Sequence, residues 1–295
     1  MRHAFLGAGG IGGLVGAALA RAGHPVTLIL RAESARQHPP SLTVTSRVLG
    51  DFAVPVNIAT ELPPGVDVVW VAVKATQLDA ALAGVPAKVL GGGLLIPLIN
   101  GVDHLAALRH AYPLASVVAG AILAESERTA PGRIHQVSPF ATIKLTAAGP
   151  AASLTRQVAE VVRGAGLVCD VGDDEVSLLW GKMAFLAPLA LTTTAMSAPL
   201  GSVRSDRKWR KRLESCLAEV CQAAESAGAA VDHDETLIRL NAAPEGMRSS
   251  MQKDVAAGRA PELDAIGGPV IRAGRAHGFD VSTTEELIGM IENRG

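Results

Sequence analysis

Residues 3–22 read HAFLGAGGIGGLVGAALARA, and this stretch decides the fold. A short apolar run, His3 to Leu6, precedes a glycine-rich turn, and a run of small apolar residues follows. A strand, a G-x-G-x-x-G turn and a helix form the arrangement that binds the pyrophosphate of a dinucleotide. The alternative is an ordinary tight turn between a strand and a helix. The motif predicts dinucleotide binding by Gly7, Ala8, Gly9, Gly10, Ile11 and Gly12.

The next apolar run indicates which dinucleotide binds. Residues 25–30 (PVTLIL) end at Arg31, where an NAD-specific site usually carries an acidic residue that binds the ribose 2′-hydroxyl. A guanidinium pairs with a 2′-phosphate but offers no acceptor to a hydroxyl. We therefore expect Arg31 to select NADP over NAD, although Glu33 would dilute that preference. The alternative for Arg31 is a solvated loop cation.

The remainder of the first half alternates between apolar strands and helices. Near-continuous apolar runs at residues 66–73, 94–99 and 117–124 are typical of parallel strands that are covered on both faces. Helices are predicted at 103–111 and 153–164, and a short strand at 167–171. These repeats predict a Rossmann-like, doubly wound parallel sheet.

The second half has a helical pattern. Long helices are predicted at 175–196, 206–227 and 262–277, and Ser282 with Glu285 predicts a capping box for a last helix. The expected fold class is α/β plus all-α. An NADP-binding domain is expected over residues 1–170, and an all-helical substrate and catalytic domain over residues 171–295.

Composition excludes several classes of partner. The 295 residues are 48% hydrophobic and 19% charged, and 27 Lys and Arg against 28 Asp and Glu give a net charge of −1. With 3% aromatic residues there is neither a basic footprint nor a stacking platform, so no nucleic-acid partner is expected. The glycine-rich run is too short and too interrupted to span a membrane. The three cysteines form no paired framework, which predicts a cytoplasmic protein without a membrane partner.

Further motifs follow in order along the whole chain. They are Lys74-Ala75-Thr76-Gln77, Asn100-Gly101, Trp180-Gly181-Lys182, Ser249-Ser250-Met251 and Glu262. Together with the glycine-rich turn, this ordered set resembles the ketopantoate reductase (2-dehydropantoate 2-reductase) family. The resemblance implies NADPH-dependent reduction of a 2-oxo acid, with 2-dehydropantoate to pantoate, in pantothenate biosynthesis, as the leading reaction.

The resemblance also implies a role for each motif residue. Lys182 would be the general acid, with Glu262 as its carboxylate partner. The implied substrate-binding residues are Asn100, Ser250 and Lys74, and the implied cofactor contacts beyond the glycine-rich turn and Arg31 are Lys74, Gln77 and Asn100.

The chemistry gives independent support to Lys182. Hydride transfer to a ketone develops alkoxide charge, so a proton donor or cation must lie beside that oxygen. Lys182 lies on an apolar helix, where burial would lower the pKa of its ammonium group toward neutrality. No metal is expected, because the lysine supplies the charge and no His/Cys/Asp cluster has ligand spacing. His135 is expected in a loop.

Each site residue also has a structural alternative. Lys182 could be a lysine whose stem covers core surface, and Glu262 a first-turn residue that complements a helix dipole. Ser250 could be a helix N-cap, Asn100 the first residue of an Asn-Gly turn, and Lys74 a solvated loop lysine.

Two positions depart from the family pattern. Four and eight residues after the lysine, the family presents asparagines that bind the substrate's hydroxyl and carboxylate, whereas this chain has Leu186 and Ala190. Thr192, Thr193 and Thr194 are candidate replacements. The departure leaves open a less hydroxylated keto acid or an imine as substrate, and a nonenzymatic NADP-binding protein is the other alternative. The sequence does not decide the oligomeric state, and a homodimer is compatible with it.

Overall fold

The computed structural model describes residues 1–293, which fall into two compact units. The first unit comprises residues 1–99 and 104–175, and the second comprises residues 100–103 and 176 onward. The domain boundary expected at residue 170 lies within the strand Val168–Gly172. The short segment 100–103, which follows a strand of the first unit, groups with the second.

A parallel sheet of six strands organises the first unit. Its strands lie in the order β5–β2–β1–β6–β7–β8, which is the order 3-2-1-4-5-6 of the doubly wound dinucleotide fold. Register runs from His3 opposite Val26 and Val68 to Leu6 opposite Ile29 and Val71. The bounds are β1 His3–Leu6, β2 Val26–Ile29, β5 Asn57–Ala59, β6 Val68–Val71, β7 Leu94–Pro97 and β8 Ser116–Val117.

Two smaller mixed sheets complete the strands described for this unit. One has the order β10–β11–β3–β4, in which β11 and β3 are parallel, and the other has the order β13–β12–β9. The bounds are β3 Ser41–Ser46, β4 Phe52–Pro55, β9 Gly120–Leu123, β10 Ser126–Ala130, β11 Arg133–Gln136, β12 Thr142–Thr146 and β13 Val168–Gly172.

Short helices connect these strands and enclose the first core. That core centres on Trp70, which stacks on Phe5 with ring centroids 5.9 Å apart, and both side chains are fully buried. The helices are α1 Gly10–Arg21, α2 Ala32–Gln37, α3 Leu78–Leu82, α4 Ala87–Leu90, α5 His104–Ala111 and α6 Ala152–Gly164.

The second unit is helical and has its own core. Helix α7, Glu175–Met196, is long and apolar enough to cross a membrane, but most of it is buried in this core. The other helices are α8 Leu200–Ser205, α9 Arg207–Ser226, α10 His233–Ala242, α11 Ser250–Ala256, α12 Leu263–Ile266, α13 Gly268–His277 and α14 Ser282–Glu292. The predicted fold class, a Rossmann-like sheet followed by a helical part, is confirmed.

Several local predictions are wrong. The run 117–124 is divided between β8 and β9, and the helix predicted at 262–277 is divided into α12 and α13. His135 lies in β11 rather than in a loop, with Nδ1 3.8 Å from Oε1 of Glu127. The capping box of the last helix does not form. Instead, the buried carboxylate of Glu219 on α9 accepts the N–H groups of Thr283 and Thr284.

Candidate active site

The glycine-rich turn occupies the point where the sheet order reverses, between β1 and β6. Gly7 has φ +99°, and a Cβ added there would lie 2.8 Å from Cγ1 of Val73. A Cβ on Gly12 would lie 2.1 Å from the carbonyl oxygen of Gly7, so this glycine lets α1 pack against the turn. At Gly9, a Cβ would meet no atom of residues 1–293 within 4 Å. The space beside Gly9 therefore fits a pyrophosphate at the N-terminus of α1.

Glycine is required at position 10 because of a close contact that the motif does not indicate. A Cβ at this position would lie 2.0 Å from the carbonyl oxygen of Ser126 on β10. The Ser126 hydroxyl in turn donates a hydrogen bond of 2.9 Å to the Gly10 carbonyl. Ser126 therefore joins β10 to the first turn of α1, although 116 residues separate the two in sequence.

The other predicted nucleotide contacts of the first unit lie at strand ends. Arg31 is exposed and is the N-cap residue of α2, directly after β2. Lys74 is half-buried just beyond β6 and precedes the 3₁₀ turn Ala75–Gln77, in which Gln77 is exposed. Ala8 is buried and Ile11 is half-buried against the first core. The carboxyl ends of parallel strands are where ligands bind in open α/β sheets.

Lys182 is half-buried on α7 of the second unit. Burial lowers the pKa of its ammonium group from 10.5 to about 8, and the attraction of the Glu262 carboxylate opposes that shift. An ammonium group with a pKa near the operating pH can both release and regain a proton. Lys182 thus has the electrostatic properties of a general acid.

Glu262 and Asn100 form a contact within the second unit. Asn100 Nδ2 lies 3.4 Å from Oε2 of Glu262, which is 5% exposed. Glu262 is the N-cap residue of α12, but its side chain makes no capping hydrogen bond there. The next residue after Asn100, Gly101, has φ +97°, and a Cβ on it would lie 2.7 Å from the carbonyl oxygen of Ala265. The Asn-Gly turn therefore packs against α12, with the Asn100 amide at the Glu262 carboxylate.

Ser249, rather than Ser250, caps helix α11. The Ser249 hydroxyl accepts a hydrogen bond from the Gln252 N–H at 3.0 Å and lies 3.4 Å from the Thr193 hydroxyl of α7. Ser250 is the first helical residue and is exposed. The N-cap role that was the alternative for Ser250 therefore belongs to Ser249. The exposed Ser250 hydroxyl is not used for capping.

An ion pair closes the loop that leads to Glu262. Asp254 is buried, and its Oδ1 accepts a hydrogen bond of 2.9 Å from Nε of Arg259, while its carbonyl accepts the Arg259 N–H at 2.8 Å. These contacts fix the turn between α11 and Glu262. This pair was not expected from the sequence, although Gly258 between its two members marks a turn.

Two of the three candidate threonines of α7 donate their hydroxyl protons to their own helix. The Thr192 hydroxyl donates to the Pro188 carbonyl at 2.6 Å, and the Thr193 hydroxyl donates to the Leu189 carbonyl at 2.7 Å. Thr194 is buried, and its hydroxyl has no hydrogen-bond partner within residues 1–293. The face of α7 that follows Lys182 is apolar at half-buried Leu186 and fully buried Ala190.

Comparison with known proteins supports a family assignment along nearly the whole chain. Residues 3–149 match the family model described as ketopantoate reductase PanE/ApbA, and residues 176–294 match the model of the C-terminal part of the same family. A 2-dehydropantoate 2-reductase from Mycobacterium tuberculosis is 30% identical over 298 residues, which covers 98% of this chain and 96% of that protein.

Solved structures share the fold. A PanE/ApbA family ketopantoate reductase from Ralstonia eutropha JMP134 superposes with a TM-score of 0.88 at 22% identity, covering 99% of this chain and 97% of that one. A D-mandelate dehydrogenase solved with NADH and anilino(oxo)acetate superposes with a TM-score of 0.89 at 18% identity, covering 99% and 98%. At these identities the likeness concerns the fold.

Proposed function

This chain belongs to the ketopantoate reductase PanE/ApbA family of oxidoreductases, and from that membership we propose that it reduces a 2-oxo acid to the 2-hydroxy acid with NADPH. The observation that carries the proposal is the Lys182, Glu262 and Asn100 group of the second unit. It combines a proton donor whose pKa is about 8 with a buried carboxylate and an amide. We place the enzyme in the cytoplasm, a compartment that suits the free thiols of Cys169, Cys216 and Cys221.

The first unit binds the cofactor in this proposal. NADPH, when bound, supplies the hydride. The amides of the first turn of α1 would hold the pyrophosphate, for which the open space at Gly9 leaves room. The Arg31 guanidinium, exposed at the end of β2, would pair with the 2′-phosphate. Because the D-mandelate dehydrogenase that shares this fold was solved with NADH, the preference for NADPH is measured by comparing the two cofactors directly.

The second unit supplies the proton. Reduction of the carbonyl would move the electron pair of its π bond onto the oxygen. Lys182 Nζ would give that oxygen a proton and become a neutral amine. Solvent returns a proton to the amine before the next turnover. The Glu262 carboxylate stabilises the charged lysine, and the Asn100 amide orients the reacting group. Ser250, exposed at the start of α11, would bind the substrate carboxylate through its hydroxyl.

The residues after Lys182 bear on which keto acid is the substrate. The M. tuberculosis relative is a 2-dehydropantoate 2-reductase, which supports ketopantoate. Leu186 and Ala190 cannot pair with a substrate hydroxyl, and each buried hydroxyl left unpaired costs roughly 1–3 kcal/mol. Because the Thr192 and Thr193 hydroxyls donate to their own helix, they favour the second candidate, a keto acid without that hydroxyl.

The proposal is tested by following NADPH consumption over a panel of 2-oxo acids that includes ketopantoate and ketoisovalerate, which lacks the hydroxyl. Lys182→Ala is expected to lower kcat by about 10²–10⁴-fold on the best substrate, the usual contribution of a general acid. Lys211→Ala, at an exposed lysine of α9, is the matched control and should retain full turnover. Full turnover by Lys182→Ala would refute the mechanism. A preference for ketoisovalerate would identify the less hydroxylated substrate.

A further inference from the structure

Arg272 on α13 joins the two segments that carry Asn100 and Glu262. Its guanidinium donates to Oδ2 of Asp103, the last residue of the segment 100–103. It also donates to Oδ1 of Asp264 at 2.6 Å, two residues beyond Glu262. A third, longer hydrogen bond of 3.4 Å reaches the Asp264 carbonyl. One side chain therefore holds the Asn-Gly turn and the start of α12 together.

Two glycines keep room for this arrangement. A Cβ at Gly268 would lie 2.5 Å from Oδ1 of Asp264 and 2.9 Å from both terminal nitrogens of Arg272. A Cβ at Gly101 would lie 2.7 Å from the Ala265 carbonyl oxygen, so that position also permits close approach. The absence of a side chain at these two glycines therefore lets the segment 100–103 and α13 approach α12 closely.

Stability alone does not account for the ion pairs. The Arg272 side chain is 49% exposed, and its partners Asp103 and Asp264 are 58% and 87% exposed. Exposed ion pairs contribute only about 0–1 kcal/mol to folding, because water and salt screen them. What the fork of a guanidinium provides is fixed geometry, since its planar N–H groups can meet two carboxylates at set angles.

We propose that Arg272 is a positioning residue, which sets the 3.4 Å separation of the Asn100 amide and the Glu262 carboxylate by holding Asp103 and Asp264. The proposal rests on the proposed function for its catalytic consequence. Its structural consequence stands apart from it, because the separation of the two side chains is measured without any substrate.

The structural test compares crystal structures of Arg272→Ala and Arg212→Ala. Arg212 is the matched control, because it pairs with Glu286 at 2.6 Å between α9 and α14 of the same unit. In Arg272→Ala, Asn100 Nδ2 and Glu262 Oε2 should separate beyond hydrogen-bond distance, whereas Arg212→Ala should keep the contact. Retention of the contact in both variants would overturn the proposal. Movement without measurable turnover in the wild-type enzyme would support the positioning role and refute the proposed reaction.

The kinetic test separates positioning from folding. Arg272→Ala should lower kcat/KM for the keto acid by about ten-fold, since a small displacement of reacting groups is costly, with little change in Tm. Arg272→Lys should recover only part of the loss, because an ammonium group cannot reproduce the fork. In a Glu262→Gln background, Arg272→Ala should lower kcat/KM by roughly two-fold or less, because Arg272 acts through Glu262. Additive losses, or an equal loss in Arg212→Ala, would contradict the proposal.

Discussion

At the scale of single residues, Lys182 is a titratable group on a helix of the second core. Its position on apolar α7 lowers the pKa of the ammonium group to about 8, and Glu262 limits that decrease. The two influences have opposite signs, and burial is the larger. Together they place the pKa near neutral pH, which the proposed role of Lys182 as proton donor requires.

The pH dependence of reduction follows from this pKa. Lys182 must be protonated to give its proton, so kcat/KM for the keto acid should be constant below about pH 8 and fall about ten-fold per pH unit above it. Oxidation of the hydroxy acid needs the neutral amine and should show the opposite dependence. Initial rates between pH 6 and pH 10 (roughly the range a general acid of this kind requires) check both directions.

A variant of the partner carboxylate is the control for that profile. Glu262→Gln removes the attraction that raises the pKa of Lys182, so the break in the reduction profile should move below pH 8. A break that stays in place would mean that the titrating group is not Lys182 paired with Glu262.

At the scale of elements, helix α1 serves two partners. Its first turn faces open space at Gly9, while Gly10 lies against the backbone of Ser126 on β10. Gly13 is similarly close-packed, since a Cβ there would lie 2.3 Å from Cδ1 of Ile134 on β11. The three glycines therefore differ. Gly9 faces open space, whereas Gly10 and Gly13 allow α1 to pack against a second sheet.

Two alanine substitutions separate these functions. Gly10→Ala places a methyl group 2.0 Å from the Ser126 carbonyl oxygen and should destabilise the cofactor-free protein by about 1–3 kcal/mol, the cost of overpacking. Gly9→Ala meets no atom of residues 1–293 within 4 Å. It should cost less than about 1 kcal/mol, the cap preference for glycine, yet weaken NADPH binding. Urea unfolding and a fluorescence titration with NADPH measure the two effects. Equal stability losses would show that β10 yields to the methyl group.

Helix α7 packs in the second core and carries Lys182. Pro188 lies inside the helix without breaking it, and the Thr192 hydroxyl donates to the Pro188 carbonyl. Hydroxyls that bond back to the preceding turn are engaged with their own helix. The positions four and eight residues after Lys182, Leu186 and Ala190, have no polar side-chain group.

At the scale of the whole molecule, the chain has two separate cores, and a buried histidine makes the stability of the first unit sensitive to acid. The first core contains His3, whose side chain is 1% exposed and accepts a hydrogen bond of 3.2 Å from Nε1 of Trp70. Burial, followed by repulsion from His24, lowers the pKa of His3 to about 3. The second core is formed by helices α7 to α14, and its members come from residues beyond 175.

Acid should therefore destabilise the first unit through His3. Between its unfolded pKa of 6.5 and its folded pKa of about 3, the unfolded chain binds a proton that the folded chain does not, so stability falls as pH falls. From pH 7 to pH 5 the expected loss is about 2 kcal/mol, from roughly 1.4 kcal/mol per pH unit below the unfolded pKa. Urea unfolding at the two pH values measures it.

His3→Gln is the comparison for acid unfolding. Glutamine keeps an acceptor for the Trp70 N–H but does not titrate, so most of the difference between pH 7 and pH 5 should disappear in this variant. An undiminished difference would assign the acid sensitivity to other groups.

The sequence by itself determined the parts whose physics is local. The turn Gly7–Gly12, the apolar strands and the long helix 175–196 follow from glycine conformations, uniform apolarity and helical period. The ordered motifs identified the family, and the fold class followed. The short strands β3, β4, β10 and β11 were not predicted, because none is a long continuous apolar run and the pairing of β11 with β3 joins segments about ninety residues apart.

Only the tertiary structure decided what depends on distant contacts. It showed that the close approach of Ser126 requires glycine at position 10. It also showed that Ser249 rather than Ser250 caps α11, and that Glu219 caps α14. It also grouped Asn100 with Glu262, 162 residues away, and placed Arg272 beside Asp103 at a separation of 169. Local preference constrains a few neighbouring residues, whereas these arrangements exist only because folding brings remote backbone and charge within a few ångströms.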